Sequence, residues 1–340
     1  MKYPAITTRL STALLLAGWC CGGLALAESS PLDRVSAVLC PAFATFATRY
    51  NKRFAKPMTT WSQAELADLK GRPVLYLFSG PDVVTPLALF PDAPHLTLIA
   101  DQKPEYGQLR AVVEEASGAS ERECRMLNFF SQLGYYRTDD LNGRGGERPS
   151  FIKLLTYSIA FSGGTITSAS LLALNAQGEL EVFAANSERA AQGIRFDVKR
   201  PDGRAVTVDY LVIDLANRGL MGHDAATAFL RRNAQDVLFL KSASHLLQSA
   251  SFSMLANLLT TPAAPFVVQD ETGLGVDRLE QAYRLTLYGH YTAPQTIWAN
   301  KPAAQAFAGA YTQHETRGPL PFVFGYEKSA GSALLVGRRR

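Results

Sequence analysis

The chain is poor in the side chains that most often do chemistry. Its 340 residues hold four cysteines, five histidines and three tryptophans. No C-x-x-C and no Cys/His cluster is present, which removes the common zinc and thiol-redox frameworks. G-x-S-x-G is absent, so there is no nucleophile elbow. Internal repeats and low-complexity segments are missing too. Neither sign of charge dominates: the formal net charge is +4, too small to make nucleic acid an expected partner. Nothing in this composition implies a cofactor or a metal, and none is expected.

What is present begins with an N-terminal secretion signal. Lys2 and Arg9 form a basic start, Ala13–Ala17 and Leu24–Leu26 supply the apolar stretch, and Ala25-Leu26-Ala27 is an A-x-A cleavage site before Glu28. The expected division is therefore a signal peptide over 1–27 and a single α/β domain over 28–340, periplasmic or secreted. An uncleaved anchor is the competing reading. The apolar stretch falls short of the roughly 20 residues that a membrane-spanning helix needs, so no transmembrane span is expected after cleavage. Trp19 before Cys20, and Cys20 before Cys21, do not fit lipidation. Cleavage removes Cys20 and Cys21 and leaves Cys40 and Cys124, which an oxidising compartment would join as a disulfide. Two buried free thiols are the alternative.

The stretch Val74–Asp101 organises the rest. Apolar runs Val74–Phe78 and Leu96–Ala100 flank a segment able to hold a short helix, a β-α-β pattern that seeds a parallel sheet. Val206–Asp214, Asp236–Leu240 and Phe266–Val268 are further strands of that sheet. Thr165–Leu174, Leu180–Ala184 and Ile194–Lys199, separated by turn signals, continue into Val206–Asp214 as an antiparallel meander inserted at about 165–215. The fold class is thus α/β, a Rossmann-like parallel sheet with an antiparallel insert. Helices are expected over Leu32–Phe54 (with Pro41 at a break or first turn), Ser62–Leu69 behind a Thr60 cap, Tyr106–Ala116, Ser120–Leu133, Ala225–Asn233 and His245–Leu259. Phe151–Ala160 fits a helix or a buried strand equally. Thr138–Pro149 is a loop, and Arg338–Arg340 is a charge run of the kind that is usually solvated.

Polar residues follow several of the strands. A parallel sheet brings such residues to its carboxyl edge, where open α/β sheets bind ligands. Ser79, Gly80, Asp82, Asp101, Lys241, Ser244, His245 and Asp270 are therefore the ligand-binding candidates. The plainer reading is that they cap helices and bind loop amides, with Ser242, Ser244 or Asp82 as N-caps. Lys241 suits an ion pair with Asp82, Asp101 or Asp270. VLYLFSGPD, LTLIADQKPE and DVLFLKSASHLL together resemble the skeleton of class I S-adenosylmethionine-dependent methyltransferases, with Gly80 and Asp101 matching in kind and place. The resemblance implies a fold and not the activity: Tyr76 stands in place of an acid, and Phe78 and Asp82 in place of glycines. LFSGPD, LFPDAPHLTLIA, LKSASHLL, VVQDETG and LYGHY resemble more closely an uncharacterised family of exported bacterial proteins, which implies export but no reaction.

Three functions remain. The first is an exported binding or accessory protein whose partner is a small molecule or envelope component, held at the strand ends. The second is an exported hydrolase using a Ser/His/Asp/Lys cluster. The third is a structural envelope protein without a pocket.

Overall fold

The computed structural model describes residues 40–101, 119–137, 141, 150–184, 191–260, 264–294, 296–326 and 332–340. The expected signal peptide, the first part of the helix over Leu32–Phe54, the helix Tyr106–Ala116 and most of the loop Thr138–Pro149 lie outside the described residues.

Among the described residues ten strands make one mixed sheet. They are β1 (Val74–Leu77), β2 (His95–Asp101), β3 (Thr165–Leu174), β4 (Leu180–Phe183), β5 (Gly193–Lys199), β6 (Ala205–Ile213), β7 (Val237–Leu240), β8 (Phe266–Gln269), β9 (Tyr283–Gly289) and β10 (Ala333–Arg339). The order across the sheet is β4-β3-β5-β6-β2-β1-β7-β8-β10-β9. The five strands β6-β2-β1-β7-β8 run parallel, and they are the five expected from their apolar runs. Alternate residues feed two cores. Val74 and Tyr76 enter one with Leu98 and Phe239, whereas Leu75 and Leu77 enter the other with Ile99 and Leu240. Burial on both faces is why these strands are nearly continuous apolar runs and not alternating ones.

The inserted strands are antiparallel to their neighbours, as expected, but do not follow chain order. β3 pairs with β4 on its outer side and with β5 on its inner side. β6 is the junction, antiparallel to β5 and parallel to β2.

One face carries α1 (Phe43–Tyr50), α2 (Lys56–Glu65), α3 (Val84–Leu89), α4 (Glu121–Leu133) and α5 (Phe151–Phe161). The opposite face carries α6 (Asn217–Met221), α7 (Asp224–Asn233), α8 (Ser253–Thr260), α9 (Val276–Glu280) and α10 (Pro302–Gln313). Ser120 and Glu123 form a reciprocal capping box that starts α4, and Gly134 ends it in the left-handed region. The ambiguous run at Phe151 is helical, started by the Ser150 hydroxyl accepting from Lys153 N.

Three local expectations are corrected. The helix placed at Ser62–Leu69 begins earlier. α1 passes through a π turn, Asn51–Ala55, directly into α2 with Pro57 in its first turn, so Thr60 lies inside a helix and caps nothing. A separate 3-10 turn follows at Ala67–Leu69. The helix expected over His245–Leu259 is interrupted by 3-10 turns at Leu246–Gln248 and Ala250–Phe252, and only then becomes α8. Left-handed backbone at Ser242, Ser244 and His245 prevents an earlier start. The arginine run is partly structural: Arg338, within β10, binds Asp68 through Nε at 2.7 Å and Nη2 at 3.1 Å. That guanidinium holds the Asp68 carboxyl below its ordinary range. Among the described residues no helix is long and apolar enough to cross a membrane.

Cys40 and Cys124 form a disulfide, with Cα atoms 5.6 Å apart. It ties the chain ahead of α1 to the first turn of α4 across 84 residues of sequence. Closing so long a loop restricts the unfolded chain, and a native disulfide of this kind is worth about 2–4 kcal/mol. Denaturant melts of the wild type with and without reductant, beside a Cys40→Ala/Cys124→Ala variant, should show a loss of that size. Equal midpoints would mean that the bridge adds nothing to stability.

Candidate functional site

β1 has β2 on one side and β7 on the other. The chain builds outward from β1 through β2 to β6, then returns to lay β7 on its free edge. The sheet's topological switch point therefore falls between the carboxyl ends of β1 and β7, where open α/β sheets form ligand crevices. Backbone strain gathers at the same place. Among the described residues, the non-glycine residues with left-handed φ are Phe78, Ser242, Ser244 and His245, all just beyond β1 or β7. Each such conformation costs on the order of 1–3 kcal/mol, and clusters of them mark functional sites.

The local fold explains why these turns form. Phe78, at φ 58°, ends β1 and lays its ring edge-on to Phe252 at 5.6 Å. Ser79 N then donates to Ile99 O at 3.1 Å, and Gly80, also left-handed, reverses the chain. Asp82 follows. Its Oδ1 accepts from Thr85 N at 3.1 Å and its Oδ2 from Thr85 Oγ1 at 2.8 Å, the cap-like role foreseen for it at the start of α3. The same carboxylate is also half of an ion pair. Lys241 Nζ lies 2.6 Å from Asp82 Oδ2 and 2.7 Å from Gly134 O, and both side chains are at most 5% exposed. Tyr76 Oη stands 3.4 Å from both Asp82 Oδ2 and Lys241 O. Of the three carboxylates considered for it, Lys241 thus pairs directly with Asp82, while its charge also favours the ionised form of Asp270.

Above the pair opens a cleft of about 210 Å³. Ser79, Gly80, Asp82, Asp101, Lys241 and Ser244 line it, so six of the eight expected residues meet there. Asp101, half-buried at the rim, accepts from Leu215 N at 2.9 Å. Burial, with the Asp214 charge nearby, raises its carboxyl above the ordinary range. His245 and Asp270 share the sheet edge but are not on the cleft wall. Asp270 is buried behind it, accepting from Ser242 N at 2.7 Å, Thr272 N at 2.9 Å and Thr272 Oγ1 at 2.6 Å. Burial still pushes its carboxyl up. His245 packs its ring against Trp298, with centroids 5.2 Å apart, and its backbone N donates to Thr272 O. Burial, helped by the Lys301 charge, pushes its imidazole down to about 4. Neither Ser242 nor Ser244 caps a helix.

Sequence reasoning missed the aromatic walls. Tyr135, Tyr136, Leu141, Phe151 and Tyr326 face the cleft. Tyr135 and Tyr326 meet edge-on at 4.9 Å, and Tyr326 Oη donates to Ser242 O at 3.1 Å and lies 3.4 Å from Ser244 Oγ. Their placement depends on distant loops crossing the sheet edge, for which no local pattern exists. Ser242, expected at the strand end and as an N-cap, is not among the eight ligand-binding candidates, yet it lines the cleft. Its hydroxyl is buried and has no hydrogen-bond partner among the described residues.

The arrangement limits the chemistry. Ser79 Oγ donates to Gly80 O at 3.0 Å, and Ser244 Oγ to Tyr326 is a long contact; among the described residues neither has a base within hydrogen-bond reach. The only histidine among the candidates is turned to Trp298. Lys241 Nζ is pinned by a carboxylate and a carbonyl. Among the described residues no group of three or more His, Cys, Asp or Glu side chains is placed to hold a metal. No protein-family model matches the chain, and no curated protein is significantly similar to it.

Two outcomes follow from the buried charges. Lys241→Ala leaves Asp82 buried without its counter-ion and should cost about 3–5 kcal/mol in urea melts, while Lys241→Met with Asp82→Asn should recover much of it. No recovery in the double variant would assign the loss to Lys241 packing alone. For His245 the sign is set by its depressed pKa. The unfolded imidazole takes a proton near 6.5 and the folded one only near 4, so stability falls as pH drops through that window, by about 1.4 kcal/mol per unit. Asp236, raised to about 6 by burial, opposes this slope. The readout is therefore the difference from His245→Asn, which keeps a residue tolerant of left-handed backbone. Parallel pH profiles of the two proteins would refute the assignment.

Proposed function

We propose that the chain is an exported protein, periplasmic or secreted, that binds a small neutral molecule bearing hydroxyl or amide groups and one flat or cyclic face. The ligand is held in the cleft between the ends of β1 and β7. One observation carries the reading: strained backbone at the switch point presents uncharged hydroxyls between aromatic walls, while the nearby charges are tied to the protein itself. Ser244 Oγ can donate or accept and Tyr326 Oη, its proton given to Ser242 O, can accept. Asp101 adds a carboxylate at the rim, suited to a ligand hydroxyl. Phe78 and Tyr135 supply ring faces and edges. The cleft is smaller than the roughly 300–1,000 Å³ of drug-sized sites, which favours a compact ligand or one moiety of a larger one. Export is supported by the A-x-A signal at Ala25-Leu26-Ala27 and is in keeping with a disulfide.

A pocketless envelope protein has one observation in its favour: Asp82, Asp101 and Asp270 all accept backbone N–H groups, as purely structural carboxylates do. The open cleft separates the two readings. Native mass spectrometry of the mature protein, incubated with a pooled small-molecule extract, should reveal a discrete adduct. Tyr326→Phe removes a single hydroxyl and should weaken it roughly two- to tenfold. Absence of any adduct, or an adduct indifferent to Tyr326→Phe and Tyr135→Ala alike, would favour the structural reading.

A further inference from the structure

A second cleft, of about 360 Å³, lies at the other end of the sheet and rests on no reading of the first. It is bounded by the π turn, by α2 and α3, and by the turn joining β5 to β6. Its floor is apolar, made by Ala55, Val84, Leu87, Ala88 and Val198. Its rim is basic, carrying Lys56, Arg200 and Arg204.

The charges at this rim do not cancel. Arg204 is matched by Asp202, at 2.6 Å from Nη2, and by Asp92. Those are the carboxylates at hand, and both are held by Arg204. Arg200 is 8% exposed and donates only to main-chain carbonyls: Leu87 O at 3.0 Å, Phe90 O at 3.4 Å and Ala93 O at 3.1 Å. It closes the carboxyl end of α3 with no direct ion pair among the described residues, while the nearby Asp202 and Asp92 charges favour its cationic form. Lys56 is exposed and makes no ion pair among the described residues. Three cations therefore share two carboxylates, which leaves one positive charge in excess, the exposed Lys56 beside an apolar floor. The π turn adds the second feature. Its extra residue rotates the following helix, so that Asn51 and Ala55 come to line the cleft together with Lys56, Thr59 and Thr60. Single π turns inside helices occur disproportionately at functional sites.

We infer that this cleft binds a small amphipathic monoanion, an aliphatic or aromatic carboxylate whose apolar part lies on Leu87, Ala88 and Val198 and whose charge meets Lys56, with the Asn51 amide and Thr60 hydroxyl beside it. A monoanion fits better than a phosphate dianion. The Arg200 and Arg204 groups are already committed to carbonyls and carboxylates, leaving one mobile ammonium and neutral donors, and half of the wall asks for hydrocarbon.

Calorimetric titration of the full mature chain with hexanoate, 1-hexanol and inorganic phosphate tests this. Hexanoate should bind saturably, and 1-hexanol and phosphate should each bind at least tenfold more weakly. Lys56 is exposed, so its replacement leaves the fold intact, which circular dichroism checks. Lys56→Ala should weaken hexanoate about fivefold, the scale of one exposed charge contact, and Lys56→Glu more. Thr60→Trp, at the rim, should block binding sterically. Absence of saturable hexanoate binding overturns the inference. So does equal affinity for 1-hexanol, which would leave an apolar cavity without charge recognition. Preferred binding of phosphate would replace the amphiphile by a simple oxyanion.

Discussion

Lys241 Nζ is held between the Asp82 carboxylate and the carbonyl that ends α4. Three parts of the chain, far apart in sequence, are fixed by that one ammonium: the turn after β1, the end of β7 and the left-handed stop at Gly134. Its position explains the rest of the carboxyl edge. Once Asp82 is anchored, Thr85 begins α3 at a set angle, Tyr76 is packed beneath, and the strained turns after β1 and β7 face one another across a fixed gap. A buried pair of this sort is a weak source of net stability, because desolvation offsets most of the Coulomb gain. Its use here is geometric. Apolar packing would hold β1 against β7 equally well, but would not dictate where the two turns stop.

The sequence made the central sheet plain for a physical reason. Strands covered on both faces must be apolar at every position, so VLYL, LTLIA and VLFL stand out from their polar surroundings. The meeting of Asp82 with Lys241 followed from the same logic, since parallel strands deliver their following residues to a common edge. The disulfide followed from elimination after the expected cleavage. What stayed hidden depended on contacts between distant segments. His245 looked like the first residue of an apolar helix, and its left-handed backbone comes from packing against Thr272 and Trp298, which no periodicity records. Tyr135 and Tyr326 reach the cleft on loops. β9 was not expected, because Arg284 and Thr286 interrupt its apolar run along a partly covered edge, and at β10 only the Arg338–Arg340 charge run was marked, although Ala333–Val336 is buried.

The carboxylates at the strand ends illustrate how a site map and a mechanism differ. Asp82, Asp101 and Asp270 converge as an active site would require, yet each is spoken for by main-chain donors. Beside them, in the cleft wall, stand the hydroxyls of Ser244 and Tyr326, next to backbone held in left-handed conformations. Convergence at a sheet edge therefore does not by itself assign these carboxylates a chemical role.

β10 occupies the slot between β8 and β9, although it follows both in sequence. Until residues beyond 332 are available, β9 has no strand to pair with and β8 shows a bare edge. That flank therefore cannot zip up progressively as the chain lengthens; it has to wait for a late insertion. A chain cut short ahead of β10 would therefore lose more than one strand: it would strand β9 and bare β8 together, so this flank of the sheet forms as a unit or not at all.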